Sequence, residues 1–383
     1  MRSRLYSTAS GDTLTAPQDN SGKPDKSDKL PQQRMSQKAL AAHLQLSPST
    51  VSLVLNNAPL AAAIPEQTRK RILDAAREFD YRPDHYAKYL SSRKSFTVAV
   101  LLPEIGEGFS AAILGGVDEA LVRNKYAFFL ANHHGEPELI REFPRQLAQR
   151  AVEGFVLINT PITEPLGCPT VSIGNNPAVG EMVRIMLDNQ RGGWLAAEHL
   201  IGLGHREIAV IKGHPWRPAA EERWLGIQAA AGERGLTIDK RLVVELAQKD
   251  KLHGPSTPEE GYVAAQKLLR KKAKFTALIA FNDFTALGAI RAFHEAGIRV
   301  PQDVSVVGFD DIQAAAYQIP GLTTLRQPWR QMGELAGAQL LRLIASEAPE
   351  SEDIVVQPEL ILRETTRVHE SSKAEKKARK EGK

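Results

Sequence analysis

The chain has 383 residues, of which 42% are hydrophobic and 25% are charged, and its formal net charge is +4. This is an ordinary composition for a globular protein of two or three domains. The sequence has no apolar run of about 18 residues, no apolar segment near its start that would mark a secretion signal, and only one cysteine. We therefore expect a cytoplasmic protein that does not interact with membranes.

The positive charge is unevenly distributed along the chain. Residues 35–94 contain nine Lys and Arg against five Asp and Glu, whereas residues 95–369 have a net charge of about −5. A basic segment beside an acidic body is compatible with nucleic-acid binding, although it is not specific for it. Residues 1–34 and 370–383 are polar and poor in apolar residues, which predicts a disordered N-terminal extension and a disordered basic tail. The tail has no leucine heptads of a tetramerising coiled coil.

Residues 36–56 contain two short helical patterns, separated by a break around Gln45. Ser36 and Ser47 are suitable N-caps, and Pro48 follows at the first helical position, where its missing N–H has no cost. The residues expected to be buried are Leu40, Ala41 and Leu44 in the first helix and Val51, Val54 and Leu55 in the second. The residues expected to face outward from the second helix are Ser49, Thr50, Ser52, Leu53 and Asn56. The pattern is typical of a helix-turn-helix, with an ordinary helical hairpin as the alternative.

A third helix is predicted in PEQTRKRILDAAREFDYRP, with Ile72, Leu73, Ala76 and Phe79 on one face. Pro83 prevents its simple continuation, and residues 84–90 form a further short helical pattern ahead of a polar linker. A helix of about seven residues is marginal in water, which suggests a hinge that folds on binding. We predict a DNA-binding headpiece over residues 35–82, followed by a hinge helix and linker over residues 83–95.

Beyond residue 96, apolar strands alternate with amphipathic helices. The predicted strands are residues 98–102, 126–131, 154–158, 170–173, 208–212, 275–281 and 304–309. The predicted helices are residues 109–123, 191–203, 218–234, 258–269, 283–295 and 328–346. This alternation is typical of α/β folds, and residues 96–369 are too many for one comfortable core, so we predict two doubly wound, parallel-sheet subdomains. Ligands bind at the carboxyl ends of such strands, which is where Asn282-Asp283 and Asp310-Asp311 lie.

Residues 36–367 resemble the lactose/galactose-repressor (LacI/GalR) family of bacterial transcription regulators. The motifs that carry the resemblance, in family order, are LSPSTVSLVLN, TRKRILDAAREFDYRPD, EHLIGLGHREIAVIKG, FNDFTALGAI, DVSVVGFDD and LTTLRQP. The resemblance implies an all-α helix-turn-helix headpiece and a core like that of periplasmic binding proteins. It also implies a homodimer that binds a pseudo-palindromic operator in double-stranded DNA.

The resemblance assigns DNA contacts position by position. The implied base contacts are Pro48, Ser49 and Leu53, and the implied phosphate contacts are Ser47, Thr50, Ser52 and Asn56. Leu90 matches the leucine that wedges into the minor groove at the operator centre, where an apolar side chain unstacks a base step and kinks the duplex. The alternative for Leu90 is packing against the third helix.

Two residues depart from the family pattern. Gln45 occupies a turn position where the family often has glycine, so a residue with a Cβ is expected at positive φ. Leu53 occupies a position that is an arginine in many relatives; it can contact a thymine methyl group but cannot form a bidentate bond with guanine. The operator is therefore expected to differ at the base pair that this residue contacts.

The resemblance also implies an effector site between the subdomains of the core. The matching positions are Phe109, Arg223, Asn282, Asp310, Gln327 and Trp329. A flat aromatic ring suits the apolar face of a pyranose, while guanidinium, amide and carboxylate groups can bind neighbouring hydroxyls. We expect a sugar or sugar derivative, with purine-like ligands second. The alternatives are subdomain packing for Phe109 and Trp329, and a structural ion pair between Arg223 and Asp310.

Enzyme readings have little support. Gly202-Leu203-Gly204 lacks a third suitably spaced glycine and precedes a strand, and neither GxxxxGK[ST] nor GxSxG occurs. His133-His134 with Glu136 is a weak metal candidate. We predict a DNA-binding transcriptional repressor controlled by a small effector, without a metal, cofactor or catalytic site. The rivals are a solute-binding protein with the same core and an enzyme that has borrowed it.

Overall fold

The computed structural model describes residues 35–81, 94–106, 108–246, 256–349 and 351–369. The chain divides into two compact units, Met1–Lys88 and Tyr89–Lys383, which are treated separately below. The predicted hinge helix with Leu90, the N-terminal extension and the basic tail all lie outside the described residues. They remain predictions.

The first unit is a small helical headpiece. Its elements are α1 (Gln37–Leu44), α2 (Pro48–Leu55), a 3₁₀ turn (Pro59–Ala63) and α3 (Glu66–Glu78). Ser36 Oγ accepts a hydrogen bond from the Ala39 N–H and Ser47 Oγ accepts one from the Thr50 N–H, each at 3.1 Å, so both predicted N-caps are confirmed. The predicted positive φ of Gln45 is also confirmed, at 55°. The N–H groups of Gln45 and Leu46 bond to the carbonyls of Ala42 and Ala41, which ends α1 in a Schellman motif.

Eight buried residues from the three helices and the 3₁₀ turn form the headpiece core: Leu40, Ala41, Leu44, Val51, Val54, Ala61, Ile72 and Ala75. Two expectations need correction. Leu73 is 41% exposed, because a step of one residue turns the chain by about 100° away from buried Ile72, and Ala75 takes the inward position instead. Leu55 is only half-buried, since it lies one residue beyond buried Val54 at the end of α2.

The second unit contains two six-stranded sheets. Its first part comprises β1 (Thr97–Leu102), α4 (Gly108–Arg123), β2 (Ala127–Asn132), α5 (Pro137–Ala148), β3 (Phe155–Ile158), β4 (Thr170–Ile173) and β5 (Val183–Leu187). Next come α6 (Asn189–Gly202), β6 (Ile208–Lys212), α7 (Pro218–Glu233), β7 (Val243–Glu245), α8 (Pro258–Arg270), β8 (Ala277–Ala280) and α9 (Asp283–Glu295). The last elements are β9 (Ser305–Asp310), α10 (Gln313–Tyr317), β10 (Thr323–Arg326), α11 (Trp329–Ile344), β11 (Asp353–Val356) and β12 (Glu359–Ile361).

The two sheets define two subdomains. The strand order is β11-β5-β4-β3-β1-β2 in the first sheet and β12-β10-β9-β8-β6-β7 in the second. All the pairings are parallel except that of β12 with β10. The chain passes to the second subdomain after β5, returns with α11 and β11, and crosses again before β12. The predicted pair of doubly wound, parallel-sheet subdomains is therefore confirmed.

Helices pack on each other unusually closely in three places, and each contact uses a glycine from both helices. A Cβ built on any of these glycines would lie 1.7–2.2 Å from a carbonyl oxygen of the partner helix. The pairs are Gly116 with Gly333 (α4 and α11), Gly193 with Gly226 (α6 and α7), and Gly261 with Gly288 (α8 and α9). Any larger residue must therefore push the helices apart.

The strands and helices predicted for residues 96–369 are all present, with boundaries within about two residues, but seven other α-helices and strands in this region were not predicted. These are α5, α10, β5, β7, β10, β11 and β12. The missed strands are short or lie at sheet edges, and α5 carries Pro144 in its interior, which normally argues against a helix. None of the helices in the described parts of the chain has the length and hydrophobicity needed to traverse a lipid bilayer.

Candidate functional site

The outer face of α2 carries small polar groups. Ser47, Pro48, Ser49 and Asn56 are exposed, whereas Thr50 and Ser52 are half-buried. The Ser47 hydroxyl lies 3.0 Å from that of Ser49 and 2.8 Å from that of Thr50. The Asn56 amide donates to the Ser52 carbonyl at 3.0 Å. These side chains are thus ordered among themselves and form a shallow polar surface that a nucleic-acid groove can approach.

Leu53 differs from the other proposed base contacts. It is half-buried and packs against the apolar core of the headpiece. The side chain is therefore less free to reach outward than the helical periodicity suggested. An apolar contact with a thymine methyl group needs only the remaining exposed part of the side chain.

A cavity of about 340 Å³ lies between the two subdomains of the second unit. Strands β8 and β9 end at its edge, as expected for a ligand site in open α/β sheets. All six predicted effector residues line this one cavity: Phe109, Arg223, Asn282, Asp310, Gln327 and Trp329. They come from well-separated parts of the sequence, and the fold brings them together.

Arg223 is held rigidly inside the second subdomain. Its Nε donates to Asn189 Oδ1 at 2.9 Å and its Nη1 donates to the Phe281 carbonyl at 2.6 Å. The guanidinium lies between two aromatic rings, 3.5 Å from the centroid of Phe309 and 4.7 Å from that of Phe281. Burial lowers the pKa of Arg223 to about 10, against the opposing charge of Asp310. The group therefore stays charged and oriented at neutral pH.

Asp310 ends strand β9 with a strained backbone. Its φ is 119°, in a region that residues with a Cβ rarely adopt. The carboxylate is buried, and Oδ1 accepts a hydrogen bond of 2.5 Å from Gln327 Nε2. Burial raises its pKa to about 6, although Arg223 acts in the opposite direction. Among the described residues, Arg223 and Asp310 make no direct ion pair with each other, which argues against a purely structural role as partners.

A second buried carboxyl group, that of Asp283, holds the chain segment that follows Asp310. Its Oδ2 accepts from the Ile312 N–H at 2.9 Å, and its Oδ1 accepts from the Thr324 hydroxyl at 2.5 Å. Burial and the nearby Asp310 raise its pKa well above the usual range. A Cβ at Gly308 would lie 2.2 Å from Asp283 Oδ1, so this strand position must be glycine. Asp283 is the first residue of α9, and its two hydrogen bonds thus connect this helix to the turn after Asp310 and to β10.

Asn282 caps α9. Its Oδ1 accepts from both the N–H and the hydroxyl of Thr285, each at 3.0 Å. No hydrogen bond from the side-chain NH₂ group is found among the described residues. That leaves two donors on a side chain that lines the cavity.

The opposite side of the cavity is aromatic. The rings of Phe109 and Trp329 stack with their centroids 4.9 Å apart and their planes 28° from parallel. Both residues also pack against the apolar core of the first subdomain. These contacts lie within the first subdomain, and the two rings also present a flat apolar surface to the cavity.

Several cavity residues were not predicted from the sequence. They include Asn175, Asn189, Trp216, Arg217 and Phe281. Most of them follow a strand or begin a helix, so the rule that ligands bind at strand carboxyl ends could have found Trp216 and Arg217, which come after β6. Asn175 comes two residues after β4, so the same rule could have found it, whereas Asn189 follows β5, a strand that was itself missed.

The two histidines of the weak metal candidate, His133 and His134, lie in different surroundings. His133 is buried, with Nε2 2.9 Å from the Thr160 hydroxyl and Nδ1 accepting from the Gly135 N–H at 3.0 Å. His134 lies on the surface. Within the described parts of the chain, no cluster of three or more His, Cys, Asp or Glu side chains could hold a metal ion.

The comparisons with known proteins match these two parts of the chain. Residues 40–84 match the model of bacterial regulatory proteins of the lacI family, and residues 197–366 match the periplasmic binding protein-like domain. The HTH-type transcriptional repressor PurR of Vibrio atlanticus is 31% identical over 330 residues, which cover 84% of this chain and 96% of PurR. The chain belongs to the lacI family of bacterial regulatory proteins.

Solved structures agree with this assignment. The transcriptional regulator CelR in complex with cellobiose is 30% identical, covering 86% of this chain and 99% of CelR, with a TM-score of 0.64. The lac repressor dimer bound to operator and an anti-inducer has a TM-score of 0.74, covering 87% of this chain and 99% of the repressor. At 24% identity, this second likeness shows the fold alone.

Membership of the lacI family makes this chain a DNA-binding transcriptional repressor with a small-molecule effector. The relatives are transcriptional regulators rather than enzymes. The alternative of a solute-binding protein is not favoured, because the match to the regulatory family falls on the headpiece.

Proposed function

We propose that this protein is a cytoplasmic repressor that binds a pseudo-palindromic operator as a homodimer and changes its operator affinity when a sugar or sugar derivative fills the cavity. The observation that carries the effector proposal is the strained, buried Asp310, which lines one cavity together with Arg223 and Asn282. Strained backbone is kept where the surroundings enforce it, most often at ligand sites.

On the DNA side, α2 supplies the contacts. We propose Pro48, Ser49 and Leu53 as base contacts, and Ser47, Thr50, Ser52 and Asn56 as phosphate contacts. The exposed hydroxyl and amide groups on this face support the proposal. Leu90 is proposed as the minor-groove wedge of the hinge.

Dimerisation is supported by exposed apolar side chains on both subdomains. Tyr317 and Ile319 are 78% and 96% exposed on the second subdomain, and Val122 is 60% exposed on the first. Contiguous exposed apolar patches mark interfaces, and Tyr317 and Ile319 lie only two residues apart in the chain. A two-fold dimer would present two headpieces to two operator half-sites.

In the cavity, the Phe109–Trp329 surface suits the apolar face of a sugar ring. Arg223, Asn282 and Asp310 suit its hydroxyls, because they offer two kinds of donor and one charged acceptor. CelR was solved with cellobiose, which supports a sugar. A purine-like ligand is the second candidate, since the same flat rings can stack on a base.

Genome-wide footprinting of DNA bound by the purified protein tests the proposal, with Leu90→Ala as the comparison variant. We expect a palindromic motif that Leu90→Ala weakens, and neighbouring genes for the uptake or breakdown of the effector. The same footprints with added candidate sugars and purines identify the effector class. Sequence-independent binding under every ligand condition would refute the operator proposal.

A further inference from the structure

A second cavity, of about 380 Å³, lies within the first subdomain, between α5 and the loop that follows β3. Its volume is in the range of small-molecule sites. Of the residues that line it, Pro161 alone also lines the cavity between the subdomains. The second cavity is therefore a separate site, which the proposed effector does not occupy.

The walls of this second cavity are apolar and rigid. Eight of its twelve lining residues are apolar, and four of these are prolines, whose φ is fixed: Pro137, Pro144, Pro161 and Pro165. On the loop, Ile162 and Leu166 also pack against an apolar core of the first subdomain. The cavity is thus formed in advance, so a ligand does not have to order its walls on binding.

The charges that line the cavity are unbalanced. Arg141 and Arg145 lie one turn apart on α5, where like charges repel each other, and Glu164 is the one acidic residue of the lining. Arg145 Nη2 lies 3.9 Å from Glu164 Oε2, whereas Arg141 makes no hydrogen bond or ion pair with any described residue. Two other glutamates of the same helix, Glu138 and Glu142, do not line the cavity. An apolar cavity with an unpaired cation at its surface suits an apolar molecule with one negative group.

We infer that this cavity binds a small apolar carboxylic acid, whose chain or ring fills the space between the proline walls and whose carboxylate pairs with Arg141. The guanidinium fork matches a carboxylate in a bidentate geometry, and burial of the apolar part supplies most of the affinity. A medium-chain fatty acid or an aromatic acid has both parts. The bound acid would contact the loop on which Pro161 lines the effector cavity, so the site is placed for a second regulatory ligand.

The test uses octanoate as the probe and measures its binding to the full-length protein by equilibrium dialysis at pH 7.5 and constant ionic strength. We expect one octanoate per chain with a Kd of about 0.1 to 1 mM, as ligand efficiency allows for a molecule of about ten non-hydrogen atoms. Octanamide has the same chain without the charge and should bind about fivefold more weakly, because an exposed ion pair contributes little more than that.

Two exposed residues of α5 allow the site to be changed without disturbing the fold, which circular dichroism verifies. Ala148 lines the cavity from the surface, so Ala148→Trp should fill it and abolish binding of both compounds. Arg141→Gln should weaken octanoate binding about fivefold and leave octanamide binding unchanged. Arg150→Gln is the matched control. Arg150 is exposed just beyond the end of α5, donates to the Gln146 carbonyl at 3.2 Å and does not line the cavity, so this variant should keep full affinity.

Three results would overturn the inference. Absence of octanoate binding to the unmodified protein, or unchanged binding to Ala148→Trp, would show that this cavity is not the site. Unchanged octanoate affinity in Arg141→Gln would show that the site does not select an anion. None of these results affects operator binding or the cavity between the subdomains, so the proposed function is tested separately by its footprints.

Discussion

The two α/β subdomains are built alike but present different chemistry to the cavity between them. Each has a six-stranded sheet covered by helix pairs that meet through facing glycines. The first subdomain contributes the stacked rings of Phe109 and Trp329, whereas the second contributes Arg223, Asn282 and Asp310. A shared scaffold thus carries an apolar wall on one side and a polar wall on the other.

This difference shows which wall of the cavity lowers the stability of the folded protein. Buried charge and backbone strain are concentrated in the second subdomain, at Arg223 and Asp310, where desolvation shifts both pKa values. The aromatic wall costs little, because Phe109 and Trp329 also complete a hydrophobic core. The buried charge and strain of the polar wall lower the stability of the fold. We therefore expect this wall to determine which polar groups of a ligand are recognised.

The largest effect is expected from removing the charge of the polar wall. Arg223→Met keeps much of the side-chain volume but deletes the cation and its free donor. We expect effector affinity to fall at least about 100-fold, or about 3 kcal/mol, because truncating a buried charged partner leaves polar groups unpaired. The measurement is effector titration of operator release in a gel-shift or anisotropy assay.

Arg291→Met is the control for this variant. Arg291 is an exposed arginine on α9 that pairs only with Glu295 of the same helix. Its loss should leave the effector response unchanged. If both variants respond normally to effector, Arg223 has a purely structural role and the polar wall lies elsewhere.

The close packing of helix pairs through facing glycines, which both subdomains share, should be disrupted by one added methyl group. Gly116→Ala in the first subdomain and Gly261→Ala in the second would each place a Cβ within 2.2 Å of a carbonyl oxygen on the partner helix. We expect each to lower the free energy of unfolding by about 2 kcal/mol, because the helices must separate to make room. Urea denaturation monitored by circular dichroism measures the change.

Gly232→Ala provides the contrast. This glycine lies near the end of α7, is exposed, and has no neighbour within 4 Å of a built Cβ. Alanine there should be neutral or stabilising by up to about 1 kcal/mol, since it has the higher helix propensity. A similar loss of stability in all three variants would mean that helix contact distance is not what these glycines provide.

A pH experiment tests the strain and burial of Asp310. The pKa of this group is raised to about 6 in the folded chain, so the folded state binds its proton more tightly than the unfolded state does. Its contribution to stability is therefore fully present below about pH 4 and is lost as the pH rises through 6. Asp310→Asn should be more stable than the unmodified protein by about 1 to 2 kcal/mol at pH 7.5, and equal to it near pH 4.

Urea denaturation at several pH values, without effector, measures this difference. Asn tolerates unusual backbone angles about as well as Asp, so the substitution isolates the charge. The effector should lose affinity for the variant, because its hydroxyls no longer find a charged acceptor. A stability gain of the same size at pH 4 and pH 7.5 would show that the charge of Asp310 is not the cause.

The sequence predicted six of the residues that line the cavity, because motifs and strand ends mark ligand positions independently of the missed elements. Asn282 and Asp310 follow two apolar strands, and their place in the site could be read from that alone. Asn189 could not, since it follows β5, a strand that was itself not predicted. The facing glycines were equally hidden, because the partner of Gly116 lies more than 200 residues away in the chain and only the return of α11 to the first subdomain brings them together.

In the headpiece, periodicity predicted the buried side of α1 well but, besides Leu55 on α2, misplaced Leu53 and Leu73. Both residues lie at the edge of an apolar stripe, where a helix turn of about 100° per residue leaves a side chain partly exposed and partly buried. Whether such a side chain is mainly buried or mainly exposed depends on the neighbouring helix. Leu53 meets the headpiece core, whereas Leu73 stays 41% exposed.

The smallest predicted effect compares two residues that share a positive φ. Gln45 has a φ of 55° at the end of α1, and Asp310 has one of 119° at the cavity. The turn at Gln45 is not part of a proposed ligand site, and glycine adopts a positive φ without the strain of a Cβ. Gln45→Gly should therefore stabilise the headpiece by about 0.5 to 1 kcal/mol. Hydrogen exchange of the Leu46 amide, which donates to the Ala41 carbonyl, would slow accordingly. Operator affinity should not change, because Gln45 is not one of the proposed DNA contacts; weaker binding of the glycine variant would instead make Gln45 part of the DNA-binding face.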